Sequence, residues 1–274
     1  MGSASTTQER VIESKVARVS LAFWIMKILA TTLGETAGDF ISMSLDLGYY
    51  IGLAITFAML VVILFVQIEG KTFRPLIFWL AIIATTTAGT EISDFMDRSL
   101  GLGYLAGSII LATGLILTLM IWHIREDTLR VFPITRRSVE LEFWVAVLFS
   151  NSLGTAFGDY LVDDAGLSFI QGATVTAAII GLVAAAHYFT RINDVILFWI
   201  AFIFTRPFGA TFGDLLTKPA DAGGLDLPRG SASLVTLSLL LVVLYLSLPS
   251  ASSHHTVLCE KRRKASKDSP DRNL

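Results

Sequence analysis

The chain has 274 residues, of which 53% are hydrophobic and only 16% are charged, and its formal net charge is −2. Soluble domains usually carry about a quarter charged residues. The mean hydropathy of +0.66 and apolar runs long enough to cross about 30 Å of hydrocarbon exclude an ordinary soluble protein. The single cysteine, Cys259, excludes an intrachain disulfide. We therefore predict an all-α integral membrane protein.

The predicted elements follow the apolar runs in chain order. A polar arm, expected to be disordered or to lie on the surface, covers residues 1–17, and a basic tail covers residues 251–274. The transmembrane domain, residues 18–250, holds eight predicted spanning helices at residues 18–38, 48–68, 76–95, 102–122, 141–160, 167–189, 195–215 and 231–249.

These helices form four tandem pairs, at residues of about 18–70, 74–124, 138–190 and 193–250. The first helix of each pair opens with Phe-Trp and ends in a Gly-rich stretch that closes with Asp. The spacing from Trp to Asp is 15 residues in every pair: Trp24 to Asp39, Trp79 to Asp94, Trp144 to Asp159 and Trp199 to Asp214. Such a constant register indicates an internal repeat.

The basic residues predict the topology. Segments outside the helix pairs carry 16 of the 21 Lys and Arg residues, whereas the loops inside the pairs carry three. The positive-inside rule therefore places both termini in the cytoplasm. Because each repeat spans the bilayer twice, all four repeats share one orientation and are parallel repeats around an axis along the membrane normal.

Four tandem repeats of two transmembrane helices, each with a Phe-Trp pair and a Gly/Asp stretch, resemble a bacterial membrane-protein family. That family is named for a repeat of unknown function, and its members are often described as uncharacterised membrane-anchored proteins. The resemblance covers about residues 21–250 and departs most at Arg206-Pro207 and in the longer loop of the fourth repeat. It implies a membrane location and four repeats, and it implies no activity.

Positions four apart on a helix share a face, so each Asp heads a polar stripe along its helix. Polar side chains in membrane helices face the bundle interior, which predicts that the four first helices surround a common axis and form an inner bundle. The stripes then make four layers: Asp39, Asp94, Asp159 and Asp214; Glu35, Thr90, Thr155 and Ala210; Thr31, Thr86, Asn151 and Arg206; and Lys27, Ile82, Val147 and Phe202.

The predicted ion- or substrate-binding residues are the polar members of the upper layers, together with one residue beside them: Asp39, Asp94, Asp159, Asp214, Glu35, Glu91, Thr90, Thr155 and Asn151. The four Asp residues are the hypothetical metal ligands. Other acidic residues near the loops are expected only to cap helices or to lie in water: Asp46, Asp97, Asp163, Asp164, Asp221 and Asp226.

Two buried cations, Lys27 and Arg206, are the predicted charge-coupling residues. An ionised carboxylate inside a membrane costs several kcal/mol unless it is paired. Arg206 lies one turn below the layer of Glu35, so the pair Arg206–Glu35 is favoured, with Glu91 as the second choice. A purely structural ion pair is the alternative role for these four residues.

Two further features of the repeat have structural interpretations: the stripe of glycines and the tryptophans. Gly34 and Gly38, with their counterparts in the other repeats, form small-xxx-small pairs that let helix backbones approach closely. The four tryptophans near the cytoplasmic helix ends are expected to be membrane-interface anchors.

The leading functional hypothesis is a transporter for a cation, either a hard divalent metal ion or a proton-coupled ion, because the donors are carboxylate, hydroxyl and amide oxygens. We expect no enzymatic activity, no resident cofactor and no nucleic-acid partner; the expected partners are the bilayer and a small inorganic ion, with Mn²⁺ or Mg²⁺ as examples of cargo. The oligomeric state is open. The alternative is a non-transporting scaffold or sensor with a structural ion-pair network, and an organic-anion carrier is a minority view.

Overall fold

The structure is a computed structural model that describes residues 14–248, and in that part of the chain it has eight α-helices and no β-strand. The helices are α1 (Leu21–Asp39), α2 (Gly48–Glu69), α3 (Pro75–Asp94), α4 (Tyr104–Glu126), α5 (Arg137–Asp159), α6 (Phe169–Phe189), α7 (Asp194–Thr217) and α8 (Arg229–Ser247). The all-helical prediction is confirmed. The predicted basic tail and most of the predicted N-terminal arm lie outside the described residues.

Seven helices are long and apolar enough to cross a membrane: α2 to α8. In the described part of the chain, α1 falls outside this set because Lys27, Glu35 and a run of Gly and Thr residues lower its hydropathy. The same residues make α1 polar along the stripe that the sequence predicts to face inward. The described part of the chain therefore has several apolar helices, which are compatible with a multi-pass membrane protein.

The odd-numbered helices form an inner ring in the order α1, α3, α5, α7 and back to α1. Each even-numbered helix packs outside this ring, as expected from its nearly continuous apolar sequence. It packs, however, on the first helix of the next repeat: α2 on α3, α4 on α5, α6 on α7, and α8 back on α1. The four repeats are thus interlocked, and the last repeat closes the ring onto the first.

Close backbone approach between inner helices depends on the glycine stripe. A Cβ added at Gly34 would overlap Thr86 of α3, and one added at Gly209 would overlap Thr31 of α1. At Gly89 the added Cβ would lie 3.0 Å from a backbone nitrogen of α5. The predicted packing role of these glycines is confirmed, and each glycine stripe faces the polar stripe of the next inner helix.

The inner helices α1, α3 and α5 each continue into one wide π-helical turn directly after the Asp that lies 15 residues after the repeat's Trp. These turns are Phe40–Ser44, Phe95–Ser99 and Tyr160–Asp164. These turns are closed by backbone bonds from residue i+5 to residue i, such as Leu45 to Phe40 at 3.0 Å. The fourth repeat differs, since α7 ends at Thr217 and a 3₁₀ turn, Ala220–Ala222, follows. We call this end of the ring the Asp end and the opposite end the Trp end.

The tryptophans correct one sequence-based expectation. Trp79 and Trp144 are only 2% and 1% exposed, so they lie inside the bundle and do not anchor it at a membrane interface. They pack with neighbouring phenylalanines in an aromatic cluster at the Trp end, for example with Phe78 edge-on to Trp79 at 5.4 Å between ring centroids. Aromatic rings buried in this way close the Trp end of the inner ring.

The described end of the N-terminal arm is packed, contrary to the prediction of a disordered or surface-lying segment. Lys15 is buried, forms an ion pair with the fully buried Glu140, and donates to the Ile68 carbonyl at 2.7 Å. Val16 joins the aromatic cluster at the Trp end. Glu140 has no role in the predictions made from the sequence. Its carboxylate connects the arm to α5 through Lys15 and accepts a hydrogen bond from Gln67 of α2 at 2.9 Å.

Candidate functional site

A column of polar side chains runs along the axis of the inner ring, as the layers predict. Side chains on a helix lean toward its N-terminus. Because all four inner helices run in the same sense, the layer above Arg206 leans toward Arg206, and the layer above Lys27 leans toward Lys27. Both cationic side chains are fully buried.

Arg206 lies at the centre of the column. Its Nη2 donates to Glu35 at 2.9 Å, to Thr90 at 2.5 Å and to Thr155 at 2.6 Å. These are three of the four members of the layer above, and the fourth, Ala210, leaves room for the guanidinium. The favoured pair Arg206–Glu35 is therefore formed. Thr90 and Thr155 lie at the predicted place, where their hydroxyls bind the guanidinium.

Only part of the guanidinium of Arg206 is satisfied. Its Nε and Nη1 atoms have no hydrogen-bond partner among the described residues. Buried polar groups normally have a partner, and a buried ion pair contributes net stability only when its remaining donors are bonded. The Arg206–Glu35 ion pair is thus formed, but two nitrogen atoms of its guanidinium lack hydrogen-bond partners among the described residues.

Lys27, the second predicted charge-coupling residue, has no carboxylate within ion-pair distance in the described part of the chain. Its Nζ donates to Asn151 Oδ1 at 2.9 Å and lies 4.1 Å from the centroid of the Phe202 ring. Asn151 in turn donates to Thr85 at 3.1 Å, which orients its amide. Asn151 thus serves as a partner of Lys27, and its predicted role in ion binding is untested.

The terms that set the charge of Lys27 are similar in size. Taking an ammonium out of water without a charged partner costs several kcal/mol. A desolvated cation–π contact returns about 2 kcal/mol, and a hydrogen bond to a charged group about 1.5–3 kcal/mol. Without a carboxylate partner among the described residues, the charged form of Lys27 is therefore stabilised chiefly by Asn151 and the Phe202 ring.

The four Asp residues at the Asp end are bridged in pairs by two cations that sequence analysis counted only as loop charges. Arg98 contacts Asp94 at 3.3 Å and Asp159 at 3.2 Å. Arg98 follows its own Asp by four residues, so both side chains share one helical face. The bridge therefore links the end of α3 to the end of α5.

The second bridge has the same design. Lys218 contacts Asp214 at 3.1 Å and Asp39 at 3.3 Å, and Arg229 approaches Asp39 at 3.5 Å. Burial lowers the pKa of Lys218, but the carboxylates of Asp214 and Asp39 outweigh this effect and raise its pKa above the ordinary value. The recurring signal was a cation four residues after the Asp of the second and fourth repeats, which the first and third repeats lack.

Three of the predicted carboxylates converge. Glu35 of α1, Asp159 of α5 and Asp214 of α7 are all buried, and one oxygen from each lies within 4.8 Å of the others. We call them the carboxylate triad. Oxygens that share a Ca²⁺ ion lie at most about 5 Å apart, because each lies roughly 2.3–2.6 Å from the ion. The triad therefore has the spacing and the donor chemistry for a hard divalent cation; Asp39 and Asp94 are not part of it.

Glu91 lies away from the column. Its side chain is fully buried, and neither carboxylate oxygen has a hydrogen-bond partner among the described residues. The carboxylate fills the space left by Gly52 of α2, where an added Cβ would lie 2.6 Å from it. Ser42 lies on the same side but donates to the Gly38 carbonyl at 3.0 Å. Glu91 is thus neither a partner of Arg206 nor a member of the triad.

For the acidic residues near the loops, the expectation of a position in water is confirmed at five of the six: Asp46, Asp163, Asp164, Asp221 and Asp226 are exposed. None of the six caps an outer helix in the described part of the chain. Asp97 is the exception to the expected exposure. Asp97 is buried, accepts a bond from Ser93 at 3.2 Å and faces Gly107 of α4. Asp46 and Asp226 adopt left-handed backbone angles, with φ of 54° at both. Their role is in loop conformation, as expected for Asp at such positions.

A wide groove lies away from the column. It has a volume of about 1220 Å³ and lies at the Trp end, between the start of α1, the end of α6 and the segment after α4. Its lining includes Trp24, His123 and His187, and it includes no member of the triad. The convergence of buried carboxylates is therefore a stronger indication of function than the size of this groove.

The fold and site define an interlocked bundle of four two-helix repeats with a charged axis. The chain matches the family described as Repeat of Unknown Function (DUF347) at residues 22–69, 77–128, 143–193 and 197–251. The chain belongs to this family, as the resemblance indicated. No match was found among curated proteins, nor among solved structures.

Proposed function

We propose that this protein is a membrane carrier for a hard divalent cation, and that Glu35, Asp159 and Asp214 are its cation ligands. The observation that carries the proposal is the convergence of three buried carboxylates from three different inner helices. Carboxylates held so close together repel one another unless a cation lies between them. No enzymatic activity, resident cofactor or nucleic-acid partner is part of the proposal.

The arrangement favours a carrier over an open pore. The lowest layer of the column is fully buried, with Ile82, Val147 and Phe202 at 0% exposure, and the aromatic cluster lies below it. Arg206 stands on the axis between that layer and the triad. A cation therefore crosses only if the helices rearrange, which is the behaviour of a protein with alternating access.

In the membrane we place all eight helices as spans, with the polar α1 shielded inside the ring. The 16-to-three distribution of basic residues supports cytoplasmic termini and an Asp end on the opposite side of a bacterial inner membrane. The four repeats then lie parallel around the membrane normal. The triad opens toward the outside, behind the bridges of Arg98 and Lys218.

The charge count supports binding of a cation. Five carboxylates lie at or next to the Asp end, Glu35 and the four Asp residues of the outermost layer. Four cations contact them: Arg98, Arg206, Lys218 and Arg229. If all are ionised, one negative charge is left over among these described groups. An incoming cation gains from that excess and must weaken at least one bridge.

The proposal is tested with purified full-length protein in liposomes that contain a metal-sensitive dye. Mn²⁺ and Ca²⁺ should enter wild-type liposomes, and Asp159→Asn should abolish entry because it removes one of three ligands. Asp163→Asn, at an exposed position four residues later, is the matched control and should retain entry. Equal flux in Asp159→Asn and wild type would reject the triad as the cation site.

A non-transporting scaffold is the second candidate, and a specific observation favours it. Every Asp of the outermost layer contacts a tethered cation, and Glu35 contacts Arg206, so all five carboxylates have a cationic side chain as partner without any bound ion. A scaffold predicts no flux under any gradient and no binding of Mn²⁺ in solution. Binding without flux would instead indicate a cation sensor.

A further inference from the structure

Lys27 differs from the other buried lysines of the described chain. Lys15 is paired with Glu140, and Lys218 is paired with two Asp residues. Lys27 is more deeply buried than either, at 0% exposure, and has no carboxylate within 4.0 Å in the part of the chain that the structure describes. Its amine is therefore a group whose charge is not fixed by a partner.

The charged groups around Lys27 are few. Arg206 of α7 is the one charged side chain of the described residues that acts on it appreciably. From α5 it meets the neutral amide of Asn151, while α3 and α8 present no charged group to it. The nearest carboxylate along its own helix, Glu35, lies two turns away and is held by Arg206.

We propose that Lys27 is a proton-binding site that alternates with the cation site, so that a divalent cation crosses in exchange for a proton. The inference rests on the proposed cation carrier. When the triad holds a cation, Glu35 is drawn away from Arg206, and the unbalanced guanidinium favours the neutral amine at Lys27. When the cation leaves, Glu35 balances Arg206 again, and the amine accepts a proton.

The proton balance is simple. The lone pair of the Lys27 amine takes a proton from water to give the ammonium, and the reverse step returns the proton to water. Asn151 Oδ1 and the Phe202 ring accept the N–H groups of the protonated form. Arg206 connects the two sites, because it contacts Glu35 of the triad and lies one helical turn from Phe202, whose ring Lys27 contacts.

The first test counts protons released when Mn²⁺ is added to full-length protein in weakly buffered detergent solution. Metal binding releases protons from the groups it displaces. Lys27→Met should release about one proton fewer per bound Mn²⁺ than wild type. Lys71→Met, at an exposed position, is the control and should match wild type. Equal release from Lys27→Met and wild type overturns the proposal.

The second test needs no cation flux and reads the amine directly. In protein labelled with ¹⁵N-lysine, the Nζ resonance lost in Lys27→Met should change from the ammonium to the amine position when the diamagnetic cation Ca²⁺ is added. Asn151→Asp places a carboxylate next to Nζ and should hold the ammonium under both conditions. If Lys27→Met does not fold, the Lys27 resonance is assigned as the one that Asn151→Asp changes most.

The outcomes separate this inference from the proposed function. Ca²⁺ binding with an unchanged Lys27 resonance leaves the carrier in place and overturns the proton site. Absence of Ca²⁺ and Mn²⁺ binding in every variant rejects the carrier, and the exchange at Lys27 is rejected with it. A resonance that changes with Ca²⁺ in wild type and stays fixed in Asn151→Asp supports both.

Discussion

Removal of Arg206 is the most informative perturbation of the column. Arg206→Met keeps an unbranched apolar side chain in the same space but leaves Glu35 buried beside Asp159 and Asp214 without its cation. Breaking a buried ion pair by removing one partner costs about 3–5 kcal/mol. For a chain of this length that corresponds to a fall in Tm of roughly 6–20 °C, at about 2–4 °C per kcal/mol.

The double variant Arg206→Met with Glu35→Gln should be milder than Arg206→Met alone, because no unpaired charge is left. Of the two hydroxyls that lose the guanidinium, that of Thr90 keeps an acceptor, since Thr90 Oγ1 lies 3.2 Å from the Thr86 carbonyl. We expect the double variant to recover about half or more of the lost stability, since replacing a whole buried pair is often close to neutral.

Thermal unfolding of detergent-solubilised protein, followed by circular dichroism, provides the measurement. Arg137→Met is a suitable control, because its ion pair with Glu69 is exposed at both ends and surface pairs contribute at most about 1 kcal/mol. A double variant with a Tm no higher than that of Arg206→Met would refute the reasoning.

Three further predictions address the packing, the topology and the bridges. Gly209→Leu should prevent α7 from approaching α1 and lower the Tm, whereas Gly181→Leu, whose added Cβ meets open space, should not; equal Tm values would contradict the packing role. With the native cysteine replaced, a cysteine at Asp164 should be labelled from outside the cell and one at Ser138 should not; the reverse would overturn the topology. Lys218→Met should bind Mn²⁺ about tenfold more tightly in an electron paramagnetic resonance titration, because it removes a competing charge next to the triad; unchanged affinity would show that the bridge does not compete.

The layers of the column could be predicted from the sequence because the repeat has a constant register. Once Trp24 and Asp39 are aligned with their counterparts, helical geometry alone places Arg206 below Glu35, and the structure has that pair. The same geometry places a glycine stripe next to the polar stripe. Both inferences needed only local periodicity and the cost of exposing polar groups to lipid.

Other features could not be predicted because they depend on contacts between repeats. The outer helices α2 and α4 are apolar around most of their surface, so no stripe shows which inner helix they pack on. Tryptophan is common both at membrane interfaces and in protein cores, so the residue type does not distinguish the two positions. The burial of these tryptophans depends on how the N-terminal arm and α5 pack at the Trp end. The Arg98 bridge connects two repeats, because Arg98 and Asp159 are 61 residues apart in the sequence.

Direct localisation of a bound cation tests the central claim most directly. Full-length protein crystallised with Mn²⁺ should show an anomalous scattering peak on the axis of the inner ring, within about 2.0–2.6 Å of carboxylate oxygens of Glu35, Asp159 and Asp214. Glu35 should then be drawn away from Arg206. A structure that has no such peak at saturating Mn²⁺, or has one only outside the triad, would contradict the account.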